Sequence, residues 1–161
     1  MQQLKHLPFF VYGTLLPDQP NFFLWGSDIV HMEPATLLGG RLHDMGYYPM
    51  LVTAVSHETV QGMVIIVEPA HYEAVRQRLD ELEGYDPENS EASGYQRRAV
   101  EVVLDDGRSL KAWVYLGDVE LVQEKPIVAG GNWATFTANN QPELQEWWNT
   151  IRTVAGRHKK E

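Results

Sequence analysis

The sequence predicts an α+β fold, a small mixed β-barrel or a curled sheet of about six strands with helices packed on its outside. Strand-like segments outnumber helical ones. Strands and helices do not alternate regularly along the chain, which argues against a parallel α/β fold. The 161 residues include 43% hydrophobic and 22% charged residues, which is ordinary for a globular protein with one core. We therefore expect a single domain over residues 1–161.

The expected strands are compact segments rich in apolar residues and bounded by turn residues. They are Pro8–Tyr12, Ala35–Leu42, Met50–Val55, Val60–Val67, Tyr95–Leu104 and Ser109–Leu116. Asp105-Asp106-Gly107 lies between the last two strands and is a hairpin signal. Asn21–Trp25 is expected to form a short helical piece, and Gly130-Gly131-Asn132 a turn.

Two longer helices are expected. The first covers about Ala70–Glu83, because apolar residues recur there at spacings of three and four. These residues are Tyr72, Val75, Leu79 and Leu82. The second covers about residues 142–156, begins with Pro142 in its first turn and carries Trp147 and Trp148 among its apolar residues.

The end of the first helix carries an acidic side chain that folding alone would not favour. Glu83 falls beside the apolar stripe and in the last turn, directly before Gly84. The helix dipole and partial burial both disfavour a charged carboxylate there, whereas Glu73 and Asp80 lie at the flank of the stripe. A carboxyl group with a raised pKa suits general acid–base chemistry near neutral pH. The alternative is a solvated side chain at an ordinary helix end.

Two further candidate sites lie at strand ends. Tyr12-Gly13-Thr14-Leu15 allows a tight turn whose backbone N–H groups can hold an anion or a developing oxyanion. An ordinary strand-end turn is the alternative. Tyr95 and Arg97 are two residues apart on an expected strand, so they share a face and can orient a carboxylate ligand. A solvated strand face is the alternative there.

Composition excludes several classes of function. The absence of cysteine rules out disulfides, thiolate metal sites and a cysteine nucleophile. The net charge of −9 argues against nucleic acids and anionic membranes as partners. The histidines have no metal-ligand spacing, and no cofactor motif occurs, so we expect no metal and no cofactor. Without a bilayer-spanning run or a signal sequence, a cytoplasmic location is expected.

An enzyme with these residues has no obvious activated nucleophile. Its substrate would have to bring its own nucleophile, while the protein supplies a proton shuttle and an oxyanion site.

Several motifs, taken in order, resemble those of one family. Phe10–Leu15 looks like a Tyr-Gly-Ser/Thr-Leu signature, and Leu79–Tyr85 matches Leu-Asp-x-x-Glu-Gly-Tyr. Gly94–Arg97 matches a Tyr-x-Arg strand, Ala112–Tyr115 matches the next strand, and Ile127–Trp133 resembles Ile-x-x-Gly-Asp-Trp with asparagine for aspartate. Together they resemble the γ-glutamylcyclotransferase-like (AIG2-like) family over about residues 8–136.

The resemblance implies a small β-barrel with a pocket at the Tyr12–Leu15 motif. It implies that Glu83 is the catalytic carboxylate and that the pocket binds substrate through Tyr12, Gly13, Thr14, Leu15 and Tyr95. The implied reaction is attack of a γ-glutamyl substrate's α-amine on its own γ-carbonyl, which releases 5-oxoproline and an amine. Two other functions stay open. One is a non-catalytic binding module for a small carboxylate metabolite, and the other is an interaction protein that uses Trp147 and Trp148.

Overall fold

The structure, a computed structural model, describes residues 6–46, 48–53, 57–86, 88 and 95–138. The helix expected at about residues 142–156, with Trp147 and Trp148, lies outside the described residues, as do residues 87 and 89–94. The expectation of a single domain over residues 1–161 therefore stays a prediction.

Seven strands are formed by the described residues. They are β1 (Phe9–Val11), β2 (Ile29–Leu38), β3 (Gly40–Asp44), β4 (Pro49–Thr53), β5 (Thr59–Val67), β6 (Gln96–Leu104) and β7 (Ser109–Leu116). Five of them close a barrel in the order β1-β5-β2-β6-β7, which confirms the α+β class and the mixed barrel. The neighbours are antiparallel except for the closing pair, where β1 runs parallel to β7.

The remaining two strands, β3 and β4, form a separate antiparallel ribbon in which Leu42 lies opposite Leu51. The prediction of one strand over Ala35–Leu42 is therefore wrong. The strand β2 ends at Leu38, and Gly39, with φ 78°, turns the chain into β3. β2 begins earlier than predicted, at Ile29, because pairing with β5 holds its largely exposed first half in an extended conformation.

The helix α1 spans Tyr72–Glu83, after a 3₁₀ turn at Pro69–His71, and so confirms the expected helix. A 3₁₀ helix at Phe22–Trp25 confirms the short helical piece. The short helix α2 (Trp133–Phe136) was not predicted, because four residues are too few to show a helical period. Among the described residues, no helix has the length and apolar character needed to cross a bilayer.

Two apolar clusters use opposite faces of the same strands. On one face, Phe9 and Val11 of β1 and Ile65 of β5 pack against Val75 and Leu79 of α1. The alternate residues, which fill the inside of the barrel, include Phe10, Val60, Val64, Ala112, Val114 and Leu51. The expected apolar stripe of α1 is buried, so the helix lies flat on the outside of the barrel with its last turn near the end of β1.

Candidate functional site

A pocket at the end of β1 brings together all six residues that the family resemblance assigned to the site. They are Tyr12, Gly13, Thr14, Leu15, Glu83 and Tyr95. Sequence reasoning missed further lining residues, which are Phe10, Val11, Tyr48, Pro49 and Tyr115. The pocket has about 350 Å³ of empty space, part of it open to solvent. Tertiary folding thus joins the end of β1, the end of α1 and the chain just before β6.

The loop after β1 is held through its carbonyl groups. The carbonyl of Thr14 accepts a hydrogen bond from the Asn21 N–H at 2.9 Å, and that of Leu15 accepts one from the Trp25 indole at 3.0 Å. No carbonyl of a described residue accepts a hydrogen bond from the N–H group of Gly13, Thr14 or Leu15. These N–H groups lie beside the pocket, so they can bind an anionic group.

Gly13 is required by a close approach to the β3–β4 ribbon. A Cβ atom at this position would lie 2.6 Å from Cγ of Pro49, which is far inside van der Waals contact. The carbonyl of Pro49 in turn accepts a hydrogen bond from the Tyr95 hydroxyl at 2.5 Å. The start of β4 therefore forms a wall of the pocket, fixed by the loop on one side and by Tyr95 on the other.

Glu83 is the last residue of α1, and its side chain is partly buried in the pocket. Burial raises the pKa of its carboxyl group to about 8, and the negative charge of Asp80 adds to the effect. The raised pKa and burial as a cause confirm the sequence analysis, which did not foresee the contribution of Asp80. No residue that the structure describes makes a hydrogen bond to this carboxyl group, so it is available to a ligand.

Two phenol groups line the pocket with Glu83. The Tyr12 hydroxyl donates a hydrogen bond to the Tyr115 carbonyl at 2.5 Å, much as Tyr95 donates to Pro49. Burial is the main cause that raises the pKa of both hydroxyls well above the usual range, and the charge of Glu83 contributes to both. Both phenols thus keep their protons at neutral pH and direct them to backbone carbonyls. The Tyr12 oxygen also lies within hydrogen-bond reach of the Leu51 backbone and the Tyr95 side chain. The Tyr95 oxygen can accept a hydrogen bond from a ligand such as an ammonium group.

Asp80 lies at the flank of the helix stripe, as the helical period predicts, and is buried there. It is 5% exposed. Its carboxylate accepts hydrogen bonds from the Tyr115 hydroxyl at 2.6 Å, from Nη1 of Arg76 at 2.8 Å and from Nε of Arg97 at 3.0 Å. The sequence signal that could have found it is its spacing of three residues from Glu83, which places both side chains on neighbouring parts of one helix face.

Arg97 does not line the pocket, so its expected role beside Tyr95 in orienting a ligand is wrong. β6 begins at Gln96, and Tyr95 precedes it. The Arg97 guanidinium pairs with Asp80 and lies over the rings of Trp113 and Tyr85, with centroid distances of 4.5 and 5.3 Å. Because Arg97 is paired with Asp80 behind the pocket, the backbone N–H groups of the loop after β1 are the candidate groups for binding an anion.

In the part of the chain that the structure describes, no group of three or more His, Asp or Glu side chains is arranged to hold a metal ion. The pocket offers a carboxyl group, two phenols and backbone N–H groups. This set can move a proton and stabilise a developing negative charge.

Comparison with known proteins gives one family match. The sequence model of the family described as "Gamma-glutamyl cyclotransferase, AIG2-like" matches residues 9–135. That range contains all six predicted site residues. No curated protein matches the sequence.

Several solved structures resemble the fold. YkqA from Bacillus subtilis has a TM-score of 0.59 at 22% identity, and the match covers 84% of this chain but 44% of YkqA. The chain thus spans less than half of the length of that relative. An AIG2-like protein from Mus musculus has a TM-score of 0.58 at 22% identity, with 78% of this chain and 87% of that chain covered. A gamma-glutamyl cyclotransferase specific to glutathione from yeast has a TM-score of 0.50 at 17% identity, with 82% and 76% covered. At these identities the similarity shows the fold.

Proposed function

The chain belongs to the gamma-glutamyl cyclotransferase, AIG2-like family, and from this premise we propose that it is itself a γ-glutamyl cyclotransferase. One observation carries the proposal. A carboxyl group with a pKa of about 8, that of Glu83, lines the same pocket as the backbone N–H groups of Gly13, Thr14 and Leu15. A proton shuttle beside an anion-binding loop is what the cyclisation of a γ-glutamyl amide requires.

The proposed reaction needs no nucleophile from the protein. The α-amine of the substrate attacks the γ-carbonyl carbon, the bond from that carbon to the leaving amine breaks, and 5-oxoproline forms. Because the reacting groups belong to one molecule, holding the substrate folded supplies much of the rate. The walls of the pocket, including Pro49 and Tyr48, would hold it so.

Glu83 is the proposed general acid and base. Its carboxylate takes a proton from the α-ammonium group, and the resulting carboxylic acid gives a proton to the leaving amine, so the residue ends in its starting state. A pKa of about 8 lies close to neutral pH, where a group can serve in both directions. The phenol oxygen of Tyr95 would accept a hydrogen bond from the same ammonium group.

The loop after β1 is the proposed anion site. Its N–H groups at Gly13, Thr14 and Leu15 would hold the γ-carbonyl oxygen as negative charge develops on it, or the α-carboxylate of the substrate. The loop is already fixed through its carbonyls to Asn21 and Trp25, so little reorganisation is needed when the charge appears.

The test is release of 5-oxoproline from a panel of γ-glutamyl amines, γ-glutamyl amino acids and γ-glutamyl peptides. Glutathione is included because the yeast structural neighbour is named as specific to it. Wild type should turn over at least one substrate. Glu83→Gln should lower the rate with that substrate by about 10²–10⁴-fold. Glu81→Gln, an exposed carboxylate on the same turn, is the matched control and should keep the rate. No product from folded wild type, or full activity in Glu83→Gln, would refute the proposal.

A binding module for a small carboxylate metabolite remains the second candidate because of the same pKa. With a pKa of about 8, Glu83 is mostly neutral at pH 7 and does not repel an anionic ligand. Binding of 5-oxoproline without turnover of any panel member would favour this function. The interaction function of Trp147 and Trp148, the cytoplasmic location and the absence of nucleic-acid and membrane partners stay predictions.

A further inference from the structure

The carboxylate of Asp80 binds two residues that lie directly opposite each other on neighbouring strands. Arg97 of β6 and Tyr115 of β7 are register partners in the barrel ladder. One oxygen of Asp80, Oδ1, accepts a hydrogen bond from Nε of Arg97 at 3.0 Å and from the hydroxyl of Tyr115 at 2.6 Å. A single side chain of α1 thus joins the helix to both strands at one level of the barrel.

We propose that Asp80 is a positioning residue that clamps the last turn of α1 to the β6–β7 pair and so sets where Glu83 stands in the pocket. The expected effect of this positioning on turnover rests on the proposed function. The clamp itself is a structural claim that can be measured without turnover.

Glu83 needs such support because no residue that the structure describes holds its carboxyl group by a hydrogen bond. Glu83 follows Asp80 by three residues, less than one turn of the helix. The Arg97 guanidinium, which Asp80 binds, also lies over the ring of Tyr85, just beyond the helix end. The backbone N–H of Tyr85 donates to the Asp80 carbonyl at 2.9 Å. Asp80 and Arg97 therefore hold both sides of the turn that carries Glu83.

The clamp also reaches the opposite wall of the pocket. The hydroxyl of Tyr115 binds Asp80, and the backbone carbonyl of Tyr115 accepts the hydrogen bond from the Tyr12 hydroxyl. Tyr12 leads directly into the loop with the N–H groups. One hydrogen-bonded chain thus links the helix turn of Glu83 to the loop that faces it. Charge-assisted hydrogen bonds to a buried carboxylate are strong and directional, which suits them to hold this spacing.

The charge of Asp80 has a second effect, which is on the pKa of Glu83. The groups near Glu83 are the Asp80 carboxylate on α1, the phenols of Tyr12, Tyr95 and Tyr115, and the Arg97 guanidinium on β6, which lies behind Tyr115. After burial, the Asp80 charge is the cause that raises the pKa of Glu83. Replacing this charge should therefore lower the pKa of Glu83, whereas removing the Tyr115 hydroxyl should leave the charge in place.

The kinetic test compares Asp80→Asn and Tyr115→Phe with wild type on the best substrate of the panel. Misplacement of Glu83 should lower kcat by about 10- to 100-fold with little change in KM, because a shift of about 1 Å at a reacting group costs this much. Arg76→Gln is the matched control, because Arg76 binds the other oxygen of Asp80 from within the same helix and holds no strand. It should keep kcat within about twofold. Unchanged kcat in both folded clamp variants would overturn the proposal.

The structural test uses hydrogen exchange and carboxyl NMR and needs no turnover. Exchange of the Gly84 and Tyr85 amides should accelerate in Asp80→Asn and Tyr115→Phe, relative to the Ile65 amide in the core, but not in Arg76→Gln. The pKa of Glu83 should fall in Asp80→Asn and stay near the wild-type value in Tyr115→Phe. If wild type shows no turnover but these changes occur, the proposed function fails and the clamp stands. Unchanged exchange in both clamp variants would refute the clamp, and an unchanged Glu83 pKa in Asp80→Asn would refute the electrostatic effect of Asp80.

Discussion

At the scale of single residues, Glu83 lowers the stability of the folded protein near neutral pH, where its carboxyl group would serve catalysis. In the unfolded chain a glutamate has its usual pKa of about 4.5, whereas in the folded protein it is about 8. Between these two values the unfolded state loses a proton that the folded state keeps. Stability linked to this group is therefore present below about pH 4.5 and is lost as the pH rises towards about 8.

Glu83→Gln should accordingly stabilise the protein, and more so at high pH. A neutral amide avoids the cost of holding an ionised carboxylate in this partly buried place, so the free energy of unfolding at pH 9 should rise by at least about 1 kcal/mol, given about 1.4 kcal/mol for each unit of pKa difference. Thermal denaturation at pH 5, 7 and 9 measures it, with Glu81→Gln as the control. An equal gain at all three pH values, or a loss at pH 9, would contradict the assigned environment of Glu83.

For Asp80 the sequence gives the position on the helix but not the environment. Its place on α1 beside Glu83 follows from the helical period. Its burial follows from Arg97 and Tyr115, which come from two strands far along the chain. Charged residues are rarely buried unless they are paired, and no local pattern shows the pair.

At the scale of elements, the loop after β1 depends on contact with another element. Gly13 lies against the ring of Pro49 at the start of β4, and its carbonyl accepts a hydrogen bond from the Leu16 N–H at 3.1 Å. The loop geometry is therefore set by β4 as much as by its own turn. A substitution in either element should therefore change the positions of the N–H groups that line the pocket.

Gly13→Ala should displace the loop, since the new Cβ would lie 2.6 Å from Cγ of Pro49. We expect kcat/KM to fall by about 10- to 100-fold as the N–H groups move. The free energy of unfolding should fall by about 1–3 kcal/mol, as is typical of overpacking. Kinetics with the best substrate and urea denaturation measure the two effects.

Pro49→Ala provides the matched partner, because it removes Cγ and Cδ while keeping the carbonyl that binds Tyr95. The double variant Gly13→Ala/Pro49→Ala should recover part of the activity and stability lost in Gly13→Ala. If the losses of activity and stability in the two single variants simply add in the double variant, the two residues do not clash and Pro49 does not set the loop geometry.

At the scale of the whole molecule, the β3–β4 ribbon is tied to the barrel rather than standing alone. The Gly117 N–H, just after β7, donates to the Leu51 carbonyl at 2.7 Å, and the His43 ring bonds the Lys125 carbonyl at 3.0 Å. Leu51 is fully buried in the cluster that fills the barrel. A two-stranded ribbon is marginal by itself, so these contacts stabilise it and the pocket wall it provides.

Leu51→Ala should therefore destabilise the molecule as a unit. The loss of a fully buried leucine side chain should cost about 2–5 kcal/mol, and denaturation should remain a single transition. Leu38→Ala, at a side chain that is 64% exposed, is the control and should change stability by less than about 0.5 kcal/mol. Separate transitions seen by ribbon and barrel probes in Leu51→Ala would show that the ribbon folds independently.

The sequence by itself determined the α+β class, the extent of α1, the β6–β7 hairpin and the six residues that meet in the pocket. The helical period, the turn residues and an acidic residue at a helix end are local signals. They depend on residues close together in the sequence, so they do not require knowledge of the tertiary fold. The motif resemblance supplied the link between Glu83 and the loop after β1, which no local signal carries.

Only the tertiary structure decided the break between β2 and β3, the burial of Asp80, the engagement of Arg97 and the wall that Pro49 forms. Each depends on contacts between residues distant along the chain, such as the pairing of β2 with β5 and the pairing of Asp80 with two strands. Burial, pairing and a pKa near 8 arise from what surrounds a side chain in space. Neighbours in sequence do not carry that information.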